Sequence, residues 1–105
     1  TSNPMQGILM LREVVQEAPK HVMAQYNLGV LSVKSGQLDK AVDRFENVLA
    51  IDPTIEDARF LLGKTYMQMG NNAGALKNLE ILKKESKNPA LVKEVESLIS
   101  KINNH

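Results

Sequence analysis

Cysteine and tryptophan are both missing from this chain, and its aromatic side chains amount to two tyrosines and two phenylalanines. Without cysteine there is no disulfide framework, no thiolate nucleophile and no zinc knuckle, while reducing and oxidising compartments both stay open, so localisation is undetermined. An excess of one charge is lacking too. The 13 basic residues face 12 acidic ones for a net charge of +1, which argues against a general affinity for nucleic acid or anionic membrane. No stretch approaches the roughly 18 consecutive apolar residues of a membrane span, and no charged-then-apolar leader precedes the first helix signal. Direct membrane insertion is therefore not expected. The chain opens Thr1-Ser2-Asn3 without a methionine, as a processed chain or a piece of a longer one does.

Histidine is scarce as well. His21 stands at a helix entrance and His105 at the terminus, and neither has acidic or nucleophilic neighbours spaced as a catalytic set. Glu13 with Glu17 and Glu94 with Glu96 are explained by solvated faces, and Glu80 with Lys84 is a surface helix pair. The glycines occur singly, so the phosphate-cradling glycine patterns are absent. These readings predict no enzyme, no catalytic residues, no metal and no cofactor. Lys77, Lys83, Lys84, Lys87 and Lys93 form the one basic concentration, but Glu80, Glu85, Glu94 and Glu96 interleave with it. No nucleic-acid partner is expected from such a mixture.

What the chain does have is a period. Pro19 and Pro53 lie 34 residues apart, as do Gly29 and Gly63, Gly36 and Gly70, and Ala41 and Ala75. Capping chemistry divides the chain into six helical segments. Asn3-Pro4 opens the first, which carries Ile8, Leu11, Val14 and Val15 until Pro19 closes it. The second runs from about His21 to Ser35 and stops at Gly36, a residue type that tolerates the left-handed conformation after a last turn. The third begins near Leu38, places Ala41, Val42, Phe45, Val48 and Leu49 at helical spacing, and ends at Ile51-Asp52-Pro53. Thr54 starts the fourth, its hydroxyl capping the first turn and Asp57 completing a weak capping box; Gly70 ends it. The fifth spans roughly Asn72 to Ser86, and Asn88-Pro89 opens a sixth with Leu91, Val92, Val95, Leu98, Ile99 and Ile102. No segment alternates like a strand. Loops of about two to five residues between such helices force antiparallel neighbours, so a row of helical hairpins follows.

With Val22 as the first residue of a unit, Leu28-Gly29, Ala41, Phe45 and Pro53 fall where tetratricopeptide repeats place their signature residues. The next unit, from Glu56, matches with Leu62-Gly63, Tyr66 and Ala75, and Gly7, Leu11, Val14 and Pro19 match the second half of a preceding unit. The chain resembles that family over about residues 3 to 89. Gln25 and Arg59 depart from it, standing where an aromatic is common, and Ser32 replaces a tyrosine. The resemblance implies an all-α, right-handed superhelical solenoid of antiparallel helix pairs. Residues 1–105 then form a single domain: half repeat 3–19, repeats 22–55 and 56–89, and capping helix 89–103. Gly29 and Gly63 on first helices and Ala41 and Ala75 on second helices are small because the helices approach closely there. A glycine inside a helix costs about 1 kcal/mol relative to alanine, so its placement needs such a reason.

Subtracting those packing residues leaves a remainder. On the second segment Met23, Tyr26, Val30 and Val33 form an additional apolar stripe. The positions 34 residues on are Asp57, Phe60, Lys64 and Met67. The resemblance implies that these positions line a concave groove for a partner protein or peptide, floored by Tyr26, Val30, Val33, Phe60 and Met67. Asn27, Lys34, Lys64 and Gln68 would supply its polar contacts. Burial of the stripe by the chain itself, or by a second copy, is the alternative. Asn27 matches one asparagine of the clamp by which some such repeats hold a terminal carboxylate, but Val30, Phe60 and Leu61 occupy neighbouring clamp positions.

The two ends differ. The sixth segment alternates its stripe with Lys93, Glu94, Glu96, Ser97, Ser100 and Lys101, the polar outer face that ends a stack. The first segment resembles half a unit with Gly7 at the small position, so either upstream sequence or a homodimer through this N-terminal helix is expected to cover it. The expected function is a non-catalytic scaffold or adaptor, with self-assembly as the alternative.

Overall fold

The computed structural model describes residues 21–104. Within them lie five helices: α1 (Val22–Lys34), α2 (Leu38–Ile51), α3 (Glu56–Gln68), α4 (Asn72–Glu85) and α5 (Pro89–Asn103). The segment expected over residues 3–19, with Gly7 and its homodimer contact, lies outside the described residues. Packing joins α1 to α2, α3 to α4 and α4 to α5. Two compact units result, and the division falls between Ile55 and Glu56.

Both hairpins turn by the same device. Gly36 and Gly70 adopt φ of 78° and 79°, a region in which a Cβ is strained. Gly36 N–H donates to the Val33 carbonyl and Gln37 N–H to that of Ser32; Gly70 donates to Met67 and Asn71 to Tyr66. These paired bonds satisfy the last carbonyls of α1 and α3. At the opposite ends, side chains accept from first-turn amides. His21 Nδ1 caps α1 through Ala24 N–H at 3.2 Å, Asn71 caps α4 through Gly74 N–H at 2.9 Å, and Asn88 caps α5 through Ala90 and Leu91.

The start of α3 departs from expectation. Thr54 neither opens the helix nor caps it with Asp57; the helix begins at Glu56. Thr54 instead turns back, donating its hydroxyl at 2.6 Å and its backbone N–H at 3.0 Å to Asp52 Oδ1. A carboxylate two residues upstream is a charged acceptor within immediate reach, and it takes the donors that helix capping would have left free. These bonds, the hydroxyl first and the amide second, hold the Asp52 carboxyl below its ordinary value.

In the first unit Leu28, Ala41, Val42, Phe45 and Val48 are buried, with Ala41, Phe45 and Val48 fully enclosed. In the second unit Ala75, Leu79, Leu82, Val95, Ile99 and Ile102 form one cluster. The glycine spacing has its packing reason here. A Cβ on Gly29 would lie 2.6 Å from Phe45 Cε1, and one on Gly63 would lie 3.0 Å from Leu79 Cδ2. On α5 the polar residues Lys93, Glu94, Glu96, Ser97, Ser100 and Lys101 are all exposed, while its apolar stripe faces α4.

Candidate partner-binding faces

Helix α1 is committed on one side by its buried Ala24, Gln25, Leu28 and Gly29. Of the residues left over, Met23 is 57% exposed, a fraction that leaves most of its side chain free for another surface. Asn27 and Lys34 are exposed, and Val30 and Val33 are half-buried. Tyr26 is half-buried too, because its ring leans on Phe45 with centroids 6.0 Å apart and planes tilted by 59°. That tilted arrangement is favourable for aromatic pairs. Tyr26 therefore serves the hairpin core with one face and is available to a partner over only part of its surface.

Helix α3 repeats the plan with different chemistry. Asp57, Lys64 and Gln68 are exposed, and Phe60 and Met67 are half-buried. Phe60 and Met67 both pack against the apolar cluster of the second unit. Over the Phe60 ring sits the Lys64 ammonium, 5.3 Å from the centroid, attracted by the negative face of the ring. Each first helix thus carries these residues outward or at the rim of the core of its own unit.

Sequence reasoning did not find the polar ties between paired helices. Buried Gln25 accepts from Asn47 Nδ2 at 3.0 Å. Its counterpart one period later, Arg59, donates to buried Asn78 at 3.1 Å, while Asn78 donates onward to the Gly74 carbonyl at 2.9 Å. The signal was present in the departure of Gln25 and Arg59 from the aromatic common at that position, since a polar residue on a packed face must find a partner. A second unanticipated bond joins Ser86 to Glu56 at 3.1 Å. A cleft of about 480 Å³ also opens between α1 and α2, lined by Leu28 and Leu31 from α1 and by Lys40, Asp43, Arg44 and Asn47 from α2.

Among the described residues, no group of three or more His, Cys, Asp or Glu side chains could hold a metal ion. No described helix is long and apolar enough to cross a membrane.

A family model described as Tetratricopeptide repeat matches residues 33–99, more than half of the chain. The chain is 40% identical over 55 residues to FK506-binding protein-like of Mus musculus, a match that covers 52% of this chain and 16% of that protein. The Homo sapiens FK506-binding protein-like is 38% identical over 63 residues, covering 60% and 18%. Tetratricopeptide repeat protein 21A of Mus musculus is 32% identical over 76 residues, covering 72% of this chain and 6% of the relative. The chain thus spans less than a fifth of the length of these curated relatives. Among solved structures, the crystal structure of MamA aligns with a TM-score of 0.70 and 20% sequence identity, covering 96% of this chain and 67% of that one. At that identity the likeness shows the fold, an all-helical α-solenoid class of helix pairs.

Proposed function

The chain belongs to the tetratricopeptide repeat family, and we propose that it acts as a non-catalytic adaptor that binds partner-protein segments on the outward face of the first helix of each unit. The observation that carries this reading is the exposure of Met23 beside half-buried Val30 and Val33 on a helix whose core-facing side is already filled. Apolar residues left at an open face are the usual mark of an interface. In the first unit a partner segment would lay apolar side chains against Met23, Val30 and Val33 on α1; in the second unit Phe60 and Met67 on α3 offer a face of the same kind. Asn27 and Lys34 in the first unit and Gln68 in the second would satisfy the backbone and polar groups of a bound segment, and Asp57 would select against acidic residues next to it. Lys64 gives the second helix a conditional contact: its ammonium rests on Phe60 and can swing to a partner carboxylate, uncovering the ring.

The test is affinity capture with the chain, identification of the captured protein, and titration of its purified form against wild type, Met23→Asp and Lys64→Glu. Met23→Asp changes exposed atoms, so its thermal midpoint should match wild type, whereas Lys64→Glu also loses the contact with Phe60, worth about 0.5 to 1 kcal/mol at an exposed site, and should melt slightly lower; the affinity of both should fall. Unchanged affinity in both would exclude these residues from binding. Capture of nothing but further copies of this chain would favour self-assembly over the adaptor reading.

A further inference from the structure

Ser86 is the first residue beyond α4, with φ of −71° and ψ of 139°. Its hydroxyl donates to Glu56 Oε1 at 3.1 Å and accepts from Asn88 N–H at 3.1 Å. One side chain thereby ties the first residue of α3 to the loop that opens α5, all within the second unit. The flanking residues are basic. Lys83 and Lys84 occupy the last turn of α4, Lys87 follows directly, and all three are exposed. Protein kinases choose serines by such charge patterns. Among the described residues no other serine has two lysines at the positions two and three before it; Ser97, for comparison, follows Glu94 and Glu96.

We propose that Ser86 is a phosphorylation site for a serine kinase that selects basic flanks, and that the modification detaches the α4–α5 junction from the start of α3. In the transfer, Ser86 Oγ attacks the γ-phosphorus of kinase-bound ATP. The new O–P bond forms as the bond from that phosphorus to the bridging β,γ-oxygen breaks, the hydroxyl proton passes to the kinase base, and ADP leaves. Access requires little. Ser86 is half-buried between exposed Glu85 and Lys87, and freeing its hydroxyl breaks two bonds at a helix end, where local opening is cheapest.

The structural outcome follows from charge. An esterified Oγ has no proton to give Glu56, so that bond is lost. The phosphate brings roughly −1.5 to −2 charges beside the Glu56 carboxylate, at the negative end of α4, and both repel it. Lys83, Lys84 and Lys87 lie on the same junction and would take the phosphate through charge-assisted bonds. The junction exchanges a partner on α3 for partners of its own.

The experiment incubates the folded chain with ATP and the catalytic subunit of cyclic-AMP-dependent protein kinase, then maps phosphopeptides by mass spectrometry and follows amide hydrogen exchange. One phosphate on Ser86 is expected, absent from Ser86→Ala, with transfer slowed about tenfold or more in the Lys83→Ala, Lys84→Ala double variant through loss of charged contacts to the kinase. Exchange at the start of α3 should rise several-fold in the phosphorylated chain and exceed that of Ser86→Ala, which loses the bond without gaining charge. Absence of phosphate on Ser86 would overturn the proposal, as would a phosphorylated chain that exchanges at the start of α3 no faster than the alanine variant.

Discussion

Gly29→Ala sets two well-measured effects against each other at a single atom. Alanine in a helix interior is favoured over glycine by about 1 kcal/mol, so at an open site the substitution would stabilise α1. Here the added Cβ would stand 2.6 Å from Phe45 Cε1 and 2.9 Å from both Cδ1 and Cζ, where carbon atoms prefer about 3.5 to 4.0 Å. Three ring atoms must retreat by about 1 Å, yet Phe45 is 0% exposed and the Tyr26 ring leans against it. Overpacking of a closed core costs about 1 to 3 kcal/mol, and a planar ring without a free end belongs near the upper part of that range. The net expectation is a chain less stable by about 1 to 2 kcal/mol. Gly63→Ala is the internal control, because its nearest neighbours are Leu79 Cδ2 at 3.0 Å and Cγ at 3.1 Å, the end of a side chain that can rotate. There the two effects should cancel to within about 0.5 kcal/mol. Urea denaturation reads the difference: the Gly29→Ala midpoint should fall by on the order of 1 M while that of Gly63→Ala stays near wild type. Combining Gly29→Ala with Phe45→Leu should recover part of the loss beyond additivity, because the clash is removed. A Gly29→Ala chain as stable as wild type would refute the close-approach account of this glycine.

Removing the cap of α5 by Asn88→Ala should cost about 1 kcal/mol, and Asn88→Gly only a few tenths; equal effects in thermal denaturation would contradict a side-chain cap. Asn78→Ala deletes the acceptor for Arg59 and the donor to Gly74, so a loss of about 1 to 3 kcal/mol is expected, and a loss below about 0.5 kcal/mol would show the tie to be incidental. For Asp52, the folded carboxyl sits below its ordinary value of 3.8, so its contribution is present above that value and lost as the pH falls through the lowered one. The thermal-midpoint gap between wild type and Asp52→Ala should therefore close in acid; a gap independent of pH would refute the Thr54 contacts as its source.

The glycines mark how much of this molecule is readable from its sequence. Gly36 and Gly70 follow the last turns of α1 and α3 and take positive φ, because helix ends present a limited choice and glycine answers it. Gly29 and Gly63 are readable for the opposite reason: each is unfavourable inside a helix, so each implies a close neighbour, and Phe45 and Leu79 are those neighbours. Thr54 is misread because its hydroxyl can either accept from a first-turn amide or donate to a carboxylate, and only the local turn decides that it donates to Asp52. The ties Gln25 to Asn47 and Arg59 to Asn78 depend on how far side chains reach across a hairpin, which periodicity does not encode. The candidate faces show the same limit. Helical spacing places Tyr26 and Val30 on one side of α1, and Phe60 and Met67 on one side of α3. It does not say that Tyr26 leans on Phe45 or that Phe60 carries Lys64. For that reason Met23 and Lys64 are cleaner probes of binding than the two aromatic residues.

The methionine methyl groups offer the most direct measurement of the central claim, that partners bind the outward faces of α1 and α3. Met23 stands on α1 and Met67 on α3, whereas Met69, 40% exposed, follows the end of α3 at the turn. With methyl-labelled methionine and a purified partner segment titrated in an NMR experiment, the account predicts saturable shifts at Met23, at Met67 or at both, while Met69 stays in place. Shifts confined to Met69, or binding that moves neither Met23 nor Met67, would contradict it.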